Sequence, residues 1–176
     1  MWTNNRGEDS ASDNKCISSM YKNIFFSLLT LLSTNYLMAQ VNASGKIIVP
    51  KKIERFFDGY VQAWSKGDVK YIMENCYDVP FSILDGDVTT VLNDFIKLEN
   101  FLLETFKSLK SEGYGYSKRN KWERFEKHSD NKITITQNYT KYLTTNEIMG
   151  AKERRATYIL QKKGNGYRIT QLILNK

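Results

Sequence analysis

Few side chains in this sequence could act as a nucleophile or bind a metal. Beyond residue 40 the single thiol is Cys76, and the single imidazole of the chain is His128. A cysteine nucleophile needs a basic partner, and His128 falls at the end of a predicted hairpin, so the pattern disfavours thiol catalysis. One histidine and one cysteine also fall short of the usual zinc ligand sets, and residues 85–87 lack the spacing of a calcium loop. We expect no metal site, and the absence of phosphate-loop and serine-elbow motifs predicts no cofactor.

Basic side chains are the second candidate for chemistry. The chain has 26 Lys and Arg against 19 Asp and Glu, a net charge of +7. No nucleic-acid motif accompanies this charge, so we interpret it as a solvated surface and expect no nucleic-acid partner. Arg154 and Arg155 are neighbours on a predicted strand and therefore point to opposite faces of it. One of the two can reach a pocket and bind a carboxylate there.

Three helices are predicted in the first half of the chain. Ile53, Phe56, Phe57, Tyr60 and Trp64 are spaced three and four apart, which predicts a helix from Lys51 with one strongly aromatic face. Gly67 ends this helix. The second helix is short, from Val69 to about Asn75, and the third runs from about Asn93 to Lys110 after a helical start near Thr89 or Thr90.

Strand patterns account for most of the rest. Phe81 to Leu84 forms a short strand between the second and third helices, and a turn follows it. Four further strands are joined by short turns and form an antiparallel meander: Tyr116–Lys127, Lys132–Leu143, Ala151–Gln161 and Tyr167–Leu174. This order predicts an α+β domain in which three N-terminal helices pack on a curved antiparallel sheet.

The first 40 residues are predicted to be separate from this domain. Residues 1–19 are polar, and we interpret them as an over-called extension before a true start at Met20. Residues 20–40 have a positive start, a short apolar run and a small residue near the end, the pattern of a signal peptide. We expect export to the periplasm or medium, with no stable membrane span after cleavage; an uncleaved membrane anchor is the alternative. Residues 41–50 form a linker, and 51–176 form the domain.

The order of elements and several short stretches resemble the NTF2-like superfamily, a cone-shaped α+β fold that includes SnoaL-like and ketosteroid isomerase-like proteins. The resemblance covers about Ile53 to Leu174 and is most specific to an uncharacterised bacterial, SnoaL-like family. The stretches that carry it are Phe56–Asp68, Tyr77–Phe81, Gly113–Ser117, Tyr158–Leu160 and Gly166–Ile169.

The resemblance implies an apolar pocket between the curved sheet and the helices. Its expected lining residues are Phe57, Tyr60, Trp64, Tyr139, Tyr158 and Arg154. The leading hypothesis is therefore a domain that binds a small apolar or weakly anionic molecule, without strong catalysis. A superfamily fold does not by itself transfer an activity.

Two alternatives stay open. In the first, the domain is an isomerase or dehydratase, with Asp78 as general base and a pocket tyrosine, Tyr71 among the candidates, as electrophile. Asp78 can equally be an ordinary turn residue before Val79-Pro80. In the second alternative, the outer face of the sheet forms a homodimer and the domain is an interaction module.

Overall fold

A computed structural model describes residues 46–175. The predicted extension, the signal peptide and the first half of the linker lie outside the described residues. Within residues 46–175, none of the helices is both long and apolar enough to cross a membrane. Residues 46–50 run without helix into the first helix, with Val49 buried against the domain core.

The elements follow the predicted order, with one addition. They are α1 (Lys51–Lys66), α2 (Val69–Tyr71) continuing as a π-helical turn (Ile72–Cys76), β1 (Tyr77–Asp85), β2 (Val88–Leu92), α3 (Phe95–Ser111), β3 (Tyr114–Lys127), β4 (Lys132–Leu143), β5 (Arg154–Lys163) and β6 (Gly166–Asn175). Local chemistry sets the helix ends. Gly67 adopts φ +67° after α1, and Asp94 caps α3 by accepting the Lys97 N–H at 2.8 Å.

The six strands form one open sheet in the order β2-β1-β6-β5-β4-β3. Neighbouring strands are antiparallel except β1 and β6, which are parallel. The ladder between β3 and β4 shifts register at three points, and such bulges bend a strand and increase its twist. The result is the expected curved sheet with helices packed on one face.

Two details differ from the sequence-based expectation. The first strand spans nine residues rather than four, because Pro80 lies where the β1–β6 register shifts and no regular ladder bond is required of it. Val88–Leu92 forms a strand instead of the start of a helix. Its β-branched residues suit a strand, and a two-residue turn after Asp85 pairs it with β1 as a hairpin.

The aromatic face of α1 forms the centre of the core. Phe57 is fully buried and makes edge-to-face contacts with Trp122 and Tyr158, at centroid distances of 5.2 and 5.0 Å. The edge-to-face geometry of these ring pairs adds to the stabilisation that comes from burying their apolar area. Ile135 and Leu160, on the helix-facing side of the sheet, complete this layer. The packing fixes α1 across the sheet and leaves a space beside it, towards α3.

Candidate functional site

A cavity of about 510 Å³ lies between the sheet, α1 and α3. Most of its lining is aromatic or aliphatic, which is typical of small-molecule pockets. The helices contribute Tyr60, Val61, Trp64, Phe101, Thr105 and Leu109, and the sheet contributes chiefly Tyr77, Phe81, Ile83, Gln137, Tyr139, Lys141, Tyr158, Leu172 and Leu174.

A group of buried hydroxyls lies in the cavity wall. The hydroxyl oxygens of Tyr60 and Tyr77 are 2.8 Å apart, and the Gln137 amide donates to the Tyr158 hydroxyl at 3.0 Å. Burial, as the main cause, raises the pKa of all three tyrosines above the ordinary value. They therefore stay protonated and act as hydrogen-bond donors rather than as bases. The Gln137 Oε1 atom is buried without a hydrogen-bond partner.

Two cations line another part of the same cavity. Arg154 on β5 pairs in register with Tyr139 on β4, and Lys141 follows two residues later on the same face. The Arg154 Nη2 atom donates to the Met149 carbonyl at 3.4 Å, while its Nε atom is buried without an acceptor. Burial lowers the pKa of Lys141, the charge of Arg154 lowers it further, and Glu112 partly opposes them.

The cavity brings together five of the six predicted lining residues: Tyr60, Trp64, Tyr139, Arg154 and Tyr158. Phe57 lies behind this wall, with none of its side chain exposed. Arg155 lines the cavity as well, although its Nε atom is held at 2.6 Å from the Glu123 carboxylate.

The two predicted catalytic residues do not line the cavity. Asp78 follows Tyr77, and its carboxylate accepts two contacts from Lys163 Nζ, at 2.7 and 2.8 Å, in a separate depression of about 280 Å³. Tyr71 is 39% exposed on α2, and its hydroxyl lies over Gly59, where a Cβ atom would approach it to 2.6 Å. The structure thus places the predicted base in an ion pair and the predicted electrophile on the surface of the helical layer.

Two further reactive side chains, Cys76 and His128, do not line the cavity. Burial raises the pKa of the Cys76 thiol to about 12, so this group is protonated and unreactive at neutral pH. His128 lies on the surface, with Nε2 at 2.7 Å from the Thr134 hydroxyl. In the described part of the chain, no three His, Cys, Asp or Glu side chains gather into a possible metal site.

The family described as "NTF2-like protein (DUF6841)" matches residues 51–175. The chain belongs to this NTF2-like family. No curated protein matches it.

Solved structures share the NTF2-like fold at low sequence identity. An NTF2-like protein of unknown function from Shewanella oneidensis is 13% identical, with a TM-score of 0.57 over 72% of this chain and 98% of that one. A domain of unknown function with a cystatin-like fold from Nostoc punctiforme is 13% identical, with a TM-score of 0.57 over 73% and 78%. A ketosteroid isomerase-like protein from Erwinia carotovora is 15% identical, with a TM-score of 0.53 over 70% and 92%. These similarities establish the fold alone.

The polar residues of this NTF2-like cavity that were not predicted from the sequence include Tyr77, Gln137 and Lys141. One signal was available on β4, where Ile133 and Ile135 alternate inward and Gln137 continues the same register. A polar residue at an inward position of an alternating strand departs from the binary pattern, and such departures occur at functional sites.

Proposed function

We propose that this NTF2-like domain binds a small, largely apolar molecule in its aromatic cavity, without strong catalysis. The observation that supports the proposal is the cavity of about 510 Å³, walled by aromatic rings and supplied with buried hydroxyl donors. Donors that are fixed by burial can orient a ligand through a carbonyl or hydroxyl group. Because residues 20–40 have the pattern of a signal peptide, we further propose that the domain binds its ligand outside the cytoplasm.

Binding is favoured over acid–base catalysis because of where the ionisable groups lie. A general base must be within hydrogen-bond reach of the proton that it removes. Asp78 is held by Lys163 outside the cavity. The two carboxylates that do line the cavity, Asp85 and Glu153, are solvent-exposed. The buried tyrosines keep their protons, so the cavity presents donors without an adjacent buried base.

A cavity-filling substitution tests the proposal. Thr105 lines the cavity from α3, and within residues 46–175 its hydroxyl donates only to the Phe101 carbonyl of its own helix. We expect Thr105→Phe to weaken binding of the neutral fluorophore phenylnaphthylamine to the full chain by about tenfold, because the new ring occupies the ligand space.

The matched control is Leu103→Phe on the same helix, since Leu103 is solvent-exposed and does not line the cavity. This variant should bind the fluorophore as the wild type does. Failure of the wild-type chain to bind phenylnaphthylamine, or equal binding by both variants, would count against a ligand cavity at this place.

A further inference from the structure

The cavity contains a pair of cations with no carboxylate bound to them. Among residues 46–175, neither Arg154 nor Lys141 forms an ion pair within 4.0 Å. Three other arginines differ from Arg154 in this respect. Arg119 pairs with Asp58, Arg124 with Glu126 and Arg155 with Glu123.

The Arg154 side chain is also incompletely hydrogen-bonded. Its Nε–H is buried and has no acceptor, and its Nη2 atom makes only a long bond of 3.4 Å to the Met149 carbonyl. Buried donors are nearly always satisfied in folded proteins, so an unsatisfied one needs an explanation. The Nε and Nη atoms of an arginine form a fork that fits the two oxygens of a carboxylate or a similar oxyanion.

Lys141 adds a second positive charge to the cavity wall that contains Arg154. It lies one pleat along from Tyr139, the β-ladder partner of Arg154, and the charge of Arg154 contributes to the lowered pKa of its ammonium group. The charge of Arg154 disfavours the ionised form of Lys141, and an anion between the two side chains would relieve that repulsion. Glu112 acts on Lys141 but forms no ion pair with it.

We propose that the ligand of this cavity is an amphiphilic anion. Its oxyanion group binds Arg154 and Lys141, and its apolar body packs against the side chains of Phe81, Phe101 and Leu172. This inference rests on the proposed ligand-binding function and adds to it the charge and the orientation of the ligand. Neutral apolar molecules of the same shape would fit the apolar walls but leave the guanidinium unsatisfied.

Two matched fluorophores test the anion inference separately from the proposed ligand cavity. Anilinonaphthalene sulfonate is an anion, and phenylnaphthylamine has the same rings without the sulfonate. With the full chain, we expect Arg154→Gln to weaken binding of the sulfonate by about tenfold and to leave the neutral probe unchanged, because only the charge-assisted contact is lost. Lys141→Gln should act in the same direction, and it breaks no side-chain hydrogen bond to another described residue.

Arg124→Gln is the control, because it removes the same charge from the exposed face of the sheet, where Arg124 pairs with Glu126. It should bind both probes as the wild type does. Thermal unfolding checks that the variants are folded, and Lys141→Gln decides the question if Arg154→Gln is destabilised.

If the wild type binds both probes, two results would overturn the anion inference while leaving the ligand cavity in place. One is an equal effect of Arg154→Gln and Lys141→Gln on both probes, and the other is an effect of Arg124→Gln that equals that of Arg154→Gln. No binding of either probe to the wild type overturns the cavity function itself.

Discussion

At the scale of single residues, Asp78 shows how one position along a strand changes the role of a carboxylate. Tyr77 faces the cavity, whereas the next side chain, Asp78, reaches Lys163. We expect Asp78→Asn to leave phenylnaphthylamine binding unchanged. The Lys163 side chain is 61% exposed, and ion pairs of that kind contribute no more than about 1 kcal/mol, so the free energy of unfolding in urea should fall by less than that.

Thr105→Phe, tested alongside, shows that the binding measurement can detect a loss. If Asp78→Asn abolishes binding as Thr105→Phe should, the carboxylate acts at the ligand and the ion-pair interpretation fails.

The residue types of the site could be predicted from the sequence better than their partners. Tyr60, Tyr139, Tyr158 and Arg154 could be predicted because the NTF2-like resemblance implies a pocket, and helix periodicity and strand alternation, which are local properties of the sequence, place residues on one face. Contact between Tyr60 and Tyr77 joins a helix to a strand 17 residues away. Such a contact depends on how α1 crosses the sheet, and no short stretch of sequence encodes that crossing.

At the scale of elements, the bulges of β3 decide which of its side chains face the helices. Gly115 is the extra residue of one bulge, between Tyr114 and Tyr116, and a Cβ atom there would lie 2.8 Å from the Leu143 carbonyl oxygen. We expect Gly115→Ala to lower the free energy of unfolding by about 1–3 kcal/mol, because backbone must move to admit the methyl group. Urea unfolding followed by circular dichroism measures this loss.

Gly166→Ala is the matched control in β6, since the nearest atom to its added methyl group is a flexible Arg168 atom at 3.6 Å. Equal stability of the two variants would show that the bulge in β3 tolerates a side chain.

The same bulges limit what strand patterns can predict. A one-residue shift exchanges the two faces of a strand. Of the three shifts in β3, the sequence marks only the one at Gly115, because a glycine within a strand suggests a bulge. Strand β2 was missed for a different reason: four of its five residues are exposed, so no alternation of buried positions distinguishes it from a helix start.

At the scale of the whole molecule, the buried tyrosines predict how stability depends on pH. The pKa of Tyr60, Tyr77 and Tyr158 is raised in the folded state above its ordinary value of 10.0. As pH rises, the unfolded chain therefore releases these protons first. The contribution of these three tyrosines to the free energy of unfolding should be fully present below about pH 10 and should fall above it.

Urea unfolding at increasing pH measures this effect, and Tyr158→Phe should reduce the alkaline loss because one of the three groups is gone. Stability that stays constant through pH 10 and beyond would contradict the burial of these hydroxyls.

On the outer face of the sheet, away from the helices, a polar patch is covered by its own side chains. Thr136 and Asn138 are only 1% and 4% exposed there. The Thr136 hydroxyl lies 2.9 Å from that of Thr157, and Asn138 donates to Glu123 at 2.7 Å. A homodimer through this face stays a prediction, and the interface would have to accommodate a polar surface that is already hydrogen-bonded.

The position of β6 in the sheet has a consequence for synthesis of the chain. This last strand lies between the β1–β2 hairpin and the β5-β4-β3 meander, so it joins the two parts of the sheet. Pairing across such sequence separation is slow to form. On the ribosome, the sheet cannot be completed until residues 166–175 have emerged. A nascent chain of this kind stays incompletely folded until these residues are available, a state compatible with the export that we propose from the pattern of residues 20–40.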